Sequence, residues 1–269
     1  MDQQIDWSGL EAVVAAAESA PSCVLGIAVS APSGARFEHH GERAFVAAST
    51  VKIAVMVELF RQVDAGRRSL SDRHVLADED RAPGSGVILH LDAGTSFSLA
   101  DLAYLMISIS DNTATNLLIE LVGMDNVNAT MRRLGMTGST LGRLMKGRPA
   151  QPGENENWAL PSDYARLITA ILEGKAASAK ACDRMVALLE RQQNDRRIAR
   201  FMPAGNRPRW GSKTGSLTGI VNDVGFVVTG AGPMVIGVFC EQPPDPLRGE
   251  EIIGEVSRAA LAAAGFPLS

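Results

Sequence analysis

The chain has 269 residues, 46% of them hydrophobic, which is enough apolar material for one compact unit or two packed lobes. A formal net charge of -4 argues against nucleic acid or an anionic membrane surface, so we expect neither as a partner. The three cysteines form no C-x-x-C pair and the four histidines include no H-E-x-x-H spacing, so we expect no disulfide framework, no metal and no cofactor.

Periodicity and turn signals predict an α+β chain. The first elements are a helix over residues 7–18, a strand over 23–30, a turn at 32–34 and a strand over 36–39. Helical periodicity then dominates from residue 49 to about 202, most clearly at 99–109, 114–122 and 163–172. Strand patterns return at 209–214, 220–228 and 234–240, and a closing helix covers 249–264.

Strands at both ends with helices between them predict one sheet built from the two termini, into which a helical lobe is inserted. We assign residues 1–48 and 206–269 to the sheet lobe and residues 49–205 to the helical lobe. The crevice between the lobes is the default place for a binding site.

Two pairs of residues leave minor questions open. Cys23 and Cys240 both lie in strand-like runs and could be neighbours in the sheet, where buried thiols are favoured over a disulfide. The adjacent His39 and His40 are the one hint of a metal ligand set, but their turn-like segment favours an exposed pair. We therefore predict no metal site there.

The tetrad Ser49-Thr50-Val51-Lys52 opens a long apolar helix and is the only Ser-x-x-Lys in the chain. On a helix this offset puts both side chains on one face, so an amine would lie beside a hydroxyl. Burial and the positive end of the helix dipole both lower the pKa of Lys52, toward a neutral amine that accepts the Ser49 proton. On the tetrad alone, an N-cap serine and a lysine that reaches water are the simpler explanation.

Two further motifs change that balance. Ser-Asp-Asn at residues 110–112 separates two helical runs, and Lys-Thr-Gly at 213–215 lies on a predicted strand. By itself the first motif is typical of a helix N-cap, and the second is common. Their order and spacing after Ser49 and Lys52 match the three-part motif set of the penicilloyl-serine transferases.

The resemblance extends beyond the motifs. From Ser30 to the closing helix, the chain resembles the class A β-lactamases, most clearly in the segments 45–52, 84–89 and 99–119. The resemblance implies an α+β fold in which helices flank a five-stranded antiparallel sheet. It also implies an active site where the sheet meets the helical lobe.

The same resemblance implies a role for each motif residue. Ser49 would be the nucleophile, Lys52 its general base, and Ser110 the group that passes a proton to the leaving nitrogen. Asn112 would hold the substrate amide, and the backbone N–H groups of Ser49 and Ser216 would form the oxyanion hole. The residues that would bind or admit the substrate carboxylate are Lys213, Thr214 and Gly215.

One feature departs from the family. Class A β-lactamases carry a water-activating glutamate, in a Glu-x-x-x-Asn pattern, in the loop after the Ser-Asp-Asn helix. Aligning on Arg143 places Met145 or Lys146 at that position, and the nearby acids Glu154 and Glu156 lie further along the loop. The chain thus resembles a subgroup without that glutamate. The residues needed for acylation are all present, and we expect deacylation to be slow. Glu154, Glu156 or Lys52 would then be the base that activates the deacylating water.

These features predict a serine hydrolase that forms an acyl-enzyme at Ser49 and hydrolyses β-lactams slowly. An esterase or amidase, a D-Ala-D-Ala peptidase and a non-catalytic β-lactam-binding domain would use the same residues and remain alternatives. We expect a monomer whose partner is a small β-lactam, amide or ester. No export signal or membrane-spanning run is visible, so we expect a cytoplasmic protein, or a periplasmic or secreted one if a leader has been removed.

Overall fold

The computed structural model describes residues 5–20, 22–203, 205 and 207–266. The first four residues of the acidic N-terminal segment and the expected lobe boundary at residue 206 lie outside the described residues. The helices are α1 Ser8–Glu18, α2 Lys52–Asp64, α3 Leu99–Ser108, α4 Asn112–Val122, α5 Met124–Arg133, α6 Pro161–Leu172, α7 Ala179–Leu189 and α8 Pro246–Ala263. The strands are β1 Val24–Ser30, β2 Arg36–His39, β3 Phe45–Val46, β4 Arg73–Val75, β5 Ser96–Ser98, β6 Trp158–Ala159, β7 Trp210–Leu217, β8 Ile220–Thr229 and β9 Gly232–Glu241.

The central element is a five-stranded antiparallel sheet with the order β2-β1-β9-β8-β7. Its first two strands come from the start of the chain and its last three from the end. The register pairs Ile27 of β1 with both His39 and Val238, and it pairs Lys213 of β7 with Val224. The α+β class and the five-stranded antiparallel sheet predicted from the sequence are therefore confirmed.

Each face of the sheet has its own hydrophobic core. One core lies between the sheet and the helices α1 and α8, and includes Leu25, Ile236 and Ile253. The other lies between the opposite face and the helical middle of the chain, where α6 packs on β1, β8 and β9. Because the sheet is covered on both faces, β8 and β9 are buried along nearly their whole length and not only at alternate residues.

Helix α2 runs through the middle of the second core. Its apolar residues surround the axis, and they are buried from Ile53 to Phe60. Lys52, its first residue, is fully buried as well. A short 3₁₀ turn, Ala48–Val51, leads into this helix. No helix of the described residues is long and apolar enough to cross a membrane.

The short strand β3 connects the sheet to that turn through Phe45. The Phe45 ring is fully buried, lies 6.0 Å from the Phe239 ring and carries the guanidinium of Arg43 on its face at 4.4 Å. A Cβ atom added to Gly26 of β1 would come within 2.2 Å of this ring. The missing side chain at Gly26 therefore makes the space that Phe45 fills.

We expect Gly26→Ala to lower the free energy of unfolding by about 1–3 kcal/mol, the usual cost of overpacking a dense core. Gly9→Ala is the matched control, since nothing lies within 4 Å of its added Cβ on α1. The control should raise stability by about 0.5–1 kcal/mol. Urea unfolding of the two variants measures both values, and equal effects would contradict the packing role of Gly26.

Candidate active site

Ser49 lies in the 3₁₀ turn before α2, packed against the strand β7. Its neighbour Ala48 has a left-handed backbone with φ +48°, a conformation that costs a non-glycine residue about 1–3 kcal/mol. A Cβ on Gly215 would lie 3.2 Å from Ser49 N and 3.0 Å from Ala47 O. The glycine thus allows β7 to approach the backbone of the turn, and its role toward substrate stays a prediction.

Lys52 joins α2 to the segment between α3 and α4. Its Nζ donates to Ser110 O at 2.7 Å, to Ser110 Oγ at 3.0 Å and to Asn112 Oδ1 at 2.8 Å. Burial lowers the pKa of Lys52 well below its ordinary value, the positive charge of Lys213 lowers it further, and Asp111 opposes both. Ser110 has φ +61°, so a second strained residue lies against the same amine.

The ammonium form of Lys52 uses all three of its hydrogens on these oxygens. In the part of the chain that the structure describes, no hydrogen bond joins Lys52 Nζ to Ser49 Oγ. A neutral amine has one hydrogen fewer and a free lone pair. Deprotonation therefore releases one of the three contacts and gives Nζ the capacity to accept a proton from a hydroxyl.

Asp111 fixes the orientation of the residues on either side of it. Its carboxylate caps α4 through Ala114 N at 2.9 Å and also accepts from Val87 N at 2.7 Å and Ile88 N at 2.9 Å. A Cβ on Gly86, whose φ is +117°, would lie 2.3 Å from the same carboxylate. The Ser-Asp-Asn motif suggested an N-cap. In the structure, the same carboxylate also binds the loop at residues 87–88, just where a short 3₁₀ turn over Ile88–His90 begins.

Lys213 of β7 is fully buried, and its Nζ donates to Thr214 O at 2.8 Å. Burial lowers the pKa of Lys213 to about 7, with Asp223 opposing the shift and Arg197 adding to it. Lys213 lies on an outer strand of the five-stranded sheet, with its side chain inside the protein. Its charge is consequently sensitive to pH near neutrality.

Arg197 is a residue that the sequence analysis did not identify. It is buried, and it donates to Ser216 Oγ at 2.6 Å, Gly215 O at 3.0 Å and Asn222 O at 2.6 Å. It is paired with Glu250 at 3.3 Å. Because exposed arginines surround it in sequence, nothing in the local pattern distinguishes Arg197 as the buried one.

The loop over residues 140–157 is held by a buried ion pair. Arg143 contacts Glu156 at 2.9 Å and 3.0 Å, and Glu156 also accepts from Ala150 N at 2.7 Å. Asn157 Oδ1 accepts from Arg143 N at 3.0 Å and from Gly142 N at 2.8 Å. Burial raises the pKa of Glu156, but the hydrogen bonds from Arg143, Asn157 N and Ala150 N outweigh it and the pKa is lowered.

Glu154 is engaged in the same way nearer the surface. Hydrogen bonds from Arg148 at 2.6 Å and Lys146 at 2.7 Å lower the pKa of its carboxyl group. A carboxylate with a lowered pKa is a weaker proton acceptor, so these contacts disfavour Glu154 and Glu156 as the general base, whose identity stays a prediction. Met145 is held at the expected position by Asn116, through bonds of 2.8 Å and 3.0 Å to its backbone.

A cavity of about 110 Å³ brings part of the predicted set together. Ser49, Asn112 and Ser216 line it, with Met145 on the side of the loop. Lys52 and Ser110 do not line the cavity. Lys52 Nζ contacts both Ser110 Oγ and the lining residue Asn112. A larger groove of about 700 Å³ between α3 and α7 contains none of the motif residues. The chemistry of the lining therefore identifies the site better than volume does.

Comparison with known proteins agrees with this geometry. The sequence profile of the Beta-lactamase enzyme family matches residues 9–264. A solved β-lactamase from Sphaerobacter thermophilus is 58% identical with a TM-score of 0.94, over 97% of this chain and 98% of that one. The solved PBP-A is 27% identical with a TM-score of 0.86, over 95% of each chain. The carbapenem-hydrolyzing β-lactamase KPC of Klebsiella oxytoca is 28% identical over 249 residues, 88% of this chain and 83% of that protein.

The fold and these matches define a serine hydrolase related to the class A β-lactamases, as the motifs predicted. The chain belongs to the beta-lactamase enzyme family.

We expect Glu156→Gln to lower the free energy of unfolding by about 3 kcal/mol, because it leaves the buried Arg143 charge without its partner. Glu154→Gln is the matched control, since its ion pairs with Lys146 and Arg148 are partly exposed to solvent and their loss should cost much less stability. Urea unfolding near pH 7 measures both. Equal losses in the two variants would show that burial does not distinguish the two pairs.

Proposed function

We propose that this protein hydrolyses β-lactams through an acyl-enzyme at Ser49 and that deacylation is its slow step. The proposal depends on one observation above all. The buried Lys52 amine contacts Ser110 and Asn112, while Glu154 and Glu156 are paired with cations. Such a site has a base for attack by serine and no free carboxylate to activate water.

The proposed site lies at the junction of a sheet lobe, residues 1–48 and 206–269, and a helical lobe, residues 49–205. We propose the monomer as the active form.

In the proposed acylation, Ser49 Oγ attacks the lactam carbonyl and its proton passes to the neutral Nζ of Lys52. The carbonyl oxygen becomes negative and is stabilised by the N–H groups of Ser49 and Ser216, each worth about 2.7–4 kcal/mol in comparable sites. Lys52 then passes a proton to Ser110 Oγ, 3.0 Å away, and Ser110 gives its own proton to the leaving nitrogen. The C–N bond breaks, and an ester to Ser49 remains.

Substrate binding is assigned to the two sides of the cavity. Asn112 Nδ2 already donates one hydrogen to Pro83 O at 2.8 Å, and its second hydrogen is available for a substrate carbonyl. On β7, the ammonium of Lys213 and the hydroxyl of Thr214 would bind the substrate carboxylate. Arg197 acts as a positioning residue, since it holds Ser216 Oγ and two carbonyls of this sheet edge.

In the proposed deacylation, a water molecule attacks the ester carbonyl and gives its proton to Lys52, while Ser49 Oγ leaves and recovers a proton. In this proposal Lys52 serves the serine hydroxyl, and no carboxylate is assigned to a water on the loop side of the ester. A well-placed general base typically contributes about 10²–10⁴ in rate, and its absence from the Met145 position makes this second step slow.

A D-Ala-D-Ala peptidase is a second candidate function. The observation that favours it is the apolar Met145 in the lining of the cavity, which suits a transferase or peptidase as well as a slow lactamase. A PBP-A variant with leucine replaced by glutamate was solved as an acyl-enzyme complex with penicillin G. Release of D-alanine from a D-Ala-D-Ala peptide, absent in Ser49→Ala, would support this function.

Stopped-flow mixing with saturating penicillin should give a burst stoichiometric with enzyme, followed by slow turnover. Ser49→Ala should abolish both the burst and the covalent adduct seen by intact-protein mass spectrometry. Met145→Glu should raise the steady-state rate by at least about tenfold, because it supplies a carboxylate on the loop side. Met145→Gln, which has the same shape and no base, is the matched control.

Two outcomes would contradict this mechanism. An adduct that forms on Ser49→Ala would remove the nucleophile assignment. A wild-type reaction without a burst, in which no acyl-enzyme accumulates, would mean that water is activated efficiently by another group.

The pH profile of kcat/KM should distinguish the two lysines. The rate should rise as Lys52 loses its proton, and for a carboxylate-bearing penicillin it should fall again as pH increases through about 7, where Lys213 loses its charge. The methyl ester of the same penicillin lacks the anion that Lys213 binds, so its profile should keep only the rising limb. A falling limb of the same size with both substrates would contradict the assigned role of Lys213.

A further inference from the structure

Three potential metal ligands lie together where α1 and β2 end. His39 Nε2 is 3.1 Å from Glu18 Oε1, and His40 Nδ1 is 3.9 Å from the same oxygen. One ligand atom from each of the three side chains lies within 4.8 Å of the other two. None of the three residues lines the cavity around Ser49. The side chains are 25–46% exposed, so an ion from solvent can reach them.

The backbone holds these side chains in place. Leu25 N donates to Glu18 Oε1 at 2.9 Å, and His40 Nδ1 lies 3.0 Å from Leu25 O. Neighbouring residues of a regular strand point to opposite faces of the sheet. His39 is the last residue of β2, and His40 has a left-handed backbone with φ +48°. This turn brings the two rings to one side, with centroids 4.2 Å apart.

The ligand set and its spacing suit one class of ion. Two imidazoles and a carboxylate form a common protein site for Zn²⁺, with bond lengths of about 2.0–2.2 Å that put tetrahedral ligands about 3.3 Å apart. The pair Glu18 and His39 already has that spacing. His40 Nδ1, 3.9 Å from Glu18 Oε1, must move closer and exchange its contact with Leu25 O for the ion, with the ring proton on Nε2.

We propose that Glu18, His39 and His40 bind a divalent transition-metal ion of the Zn²⁺ class, with water at the fourth position. The ion replaces the hydrogen bond between His39 Nε2 and Glu18 Oε1, and the negative charge of the Glu18 carboxylate offsets part of its positive charge. It links the end of α1 to β2, the outer strand of the sheet. The sequence alone predicted no metal here, because the adjacent histidines lie in a turn-like segment that favours an exposed pair.

Calorimetric titration of the tag-free full chain with Zn²⁺ at neutral pH tests the site. One ion should bind per chain, and the urea midpoint of unfolding should rise in its presence. His39→Gln and His40→Gln should each weaken Zn²⁺ binding by at least about 10–100-fold. Loss of a residue that only hydrogen-bonds to a metal ligand already costs that much affinity, and here the ligand itself is removed. Co²⁺ should give the visible absorption bands of a four-coordinate ion, and these should be lost in both variants.

His74→Gln is the matched control, because His74 pairs with Asp80 at 2.7 Å in a group of only two ligands. It should leave Zn²⁺ binding unchanged. Glu18→Gln keeps an acceptor for Leu25 N, so its urea midpoint without metal shows whether a loss of binding reflects the ligand or the fold. Absence of Zn²⁺ binding to the wild-type chain would overturn the proposal. So would wild-type affinity in the His39→Gln and His40→Gln variants, or a loss in the His74→Gln variant as large as theirs.

Discussion

The burial of the Lys52 side chain is the constraint on which the rest of the site depends. An amine inside an apolar core is tolerated only when nearby oxygens satisfy its hydrogens, and here they come from Ser110 and Asn112. Ser110 adopts a left-handed backbone conformation with φ +61°, and the carboxylate of the next residue, Asp111, holds the segment by capping α4 and accepting hydrogen bonds from the loop at residues 87–88. The hydrogen bonds that satisfy the buried amine thus connect α2 to α4, and the Asp111 carboxylate connects α4 to the loop at residues 87–88.

A second buried network lies behind the strand β7 and influences the first. Burial raises the pKa of Asp223 and lowers that of Lys213, so both groups are pushed toward their neutral forms, while Arg197 keeps Asp223 from shifting further. The charge on Lys213 in turn lowers the pKa of Lys52. Proton occupancy at the two lysines is therefore coupled, and an anion bound at Lys213 would alter the basicity of Lys52.

The sequence predicted the parts of this structure that depend on local patterns. The strand over residues 36–39 and the helix ending at Leu172 agree with the structure, because alternation and a Pro-Ser-Asp start are local signals. It missed α5, a polar helix, and the two-residue ladder of β3 with β6, whose partners Phe45 and Ala159 are remote in sequence. In the site it predicted Ser49, Lys52 and Ser110, of which Lys52 and Ser110 are in contact and Ser49 lines the cavity; their catalytic roles stay predictions. It could not give Arg197, since burial of one arginine among several depends on tertiary packing.

The arrangement of the sheet also sets the order in which the protein can assemble during synthesis. The register joins Ile27 to Val238, so β1 and its inner neighbour are separated by roughly 200 residues. At about 5–20 residues per second, a ribosome needs on the order of tens of seconds to make that stretch. Throughout that time the β1–β2 hairpin has a free inner edge, and the turn at Ser49 lacks the strand that Gly215 brings against it. The nascent chain therefore carries the helices α1 to α7 before the strand that completes the proposed active site has been made.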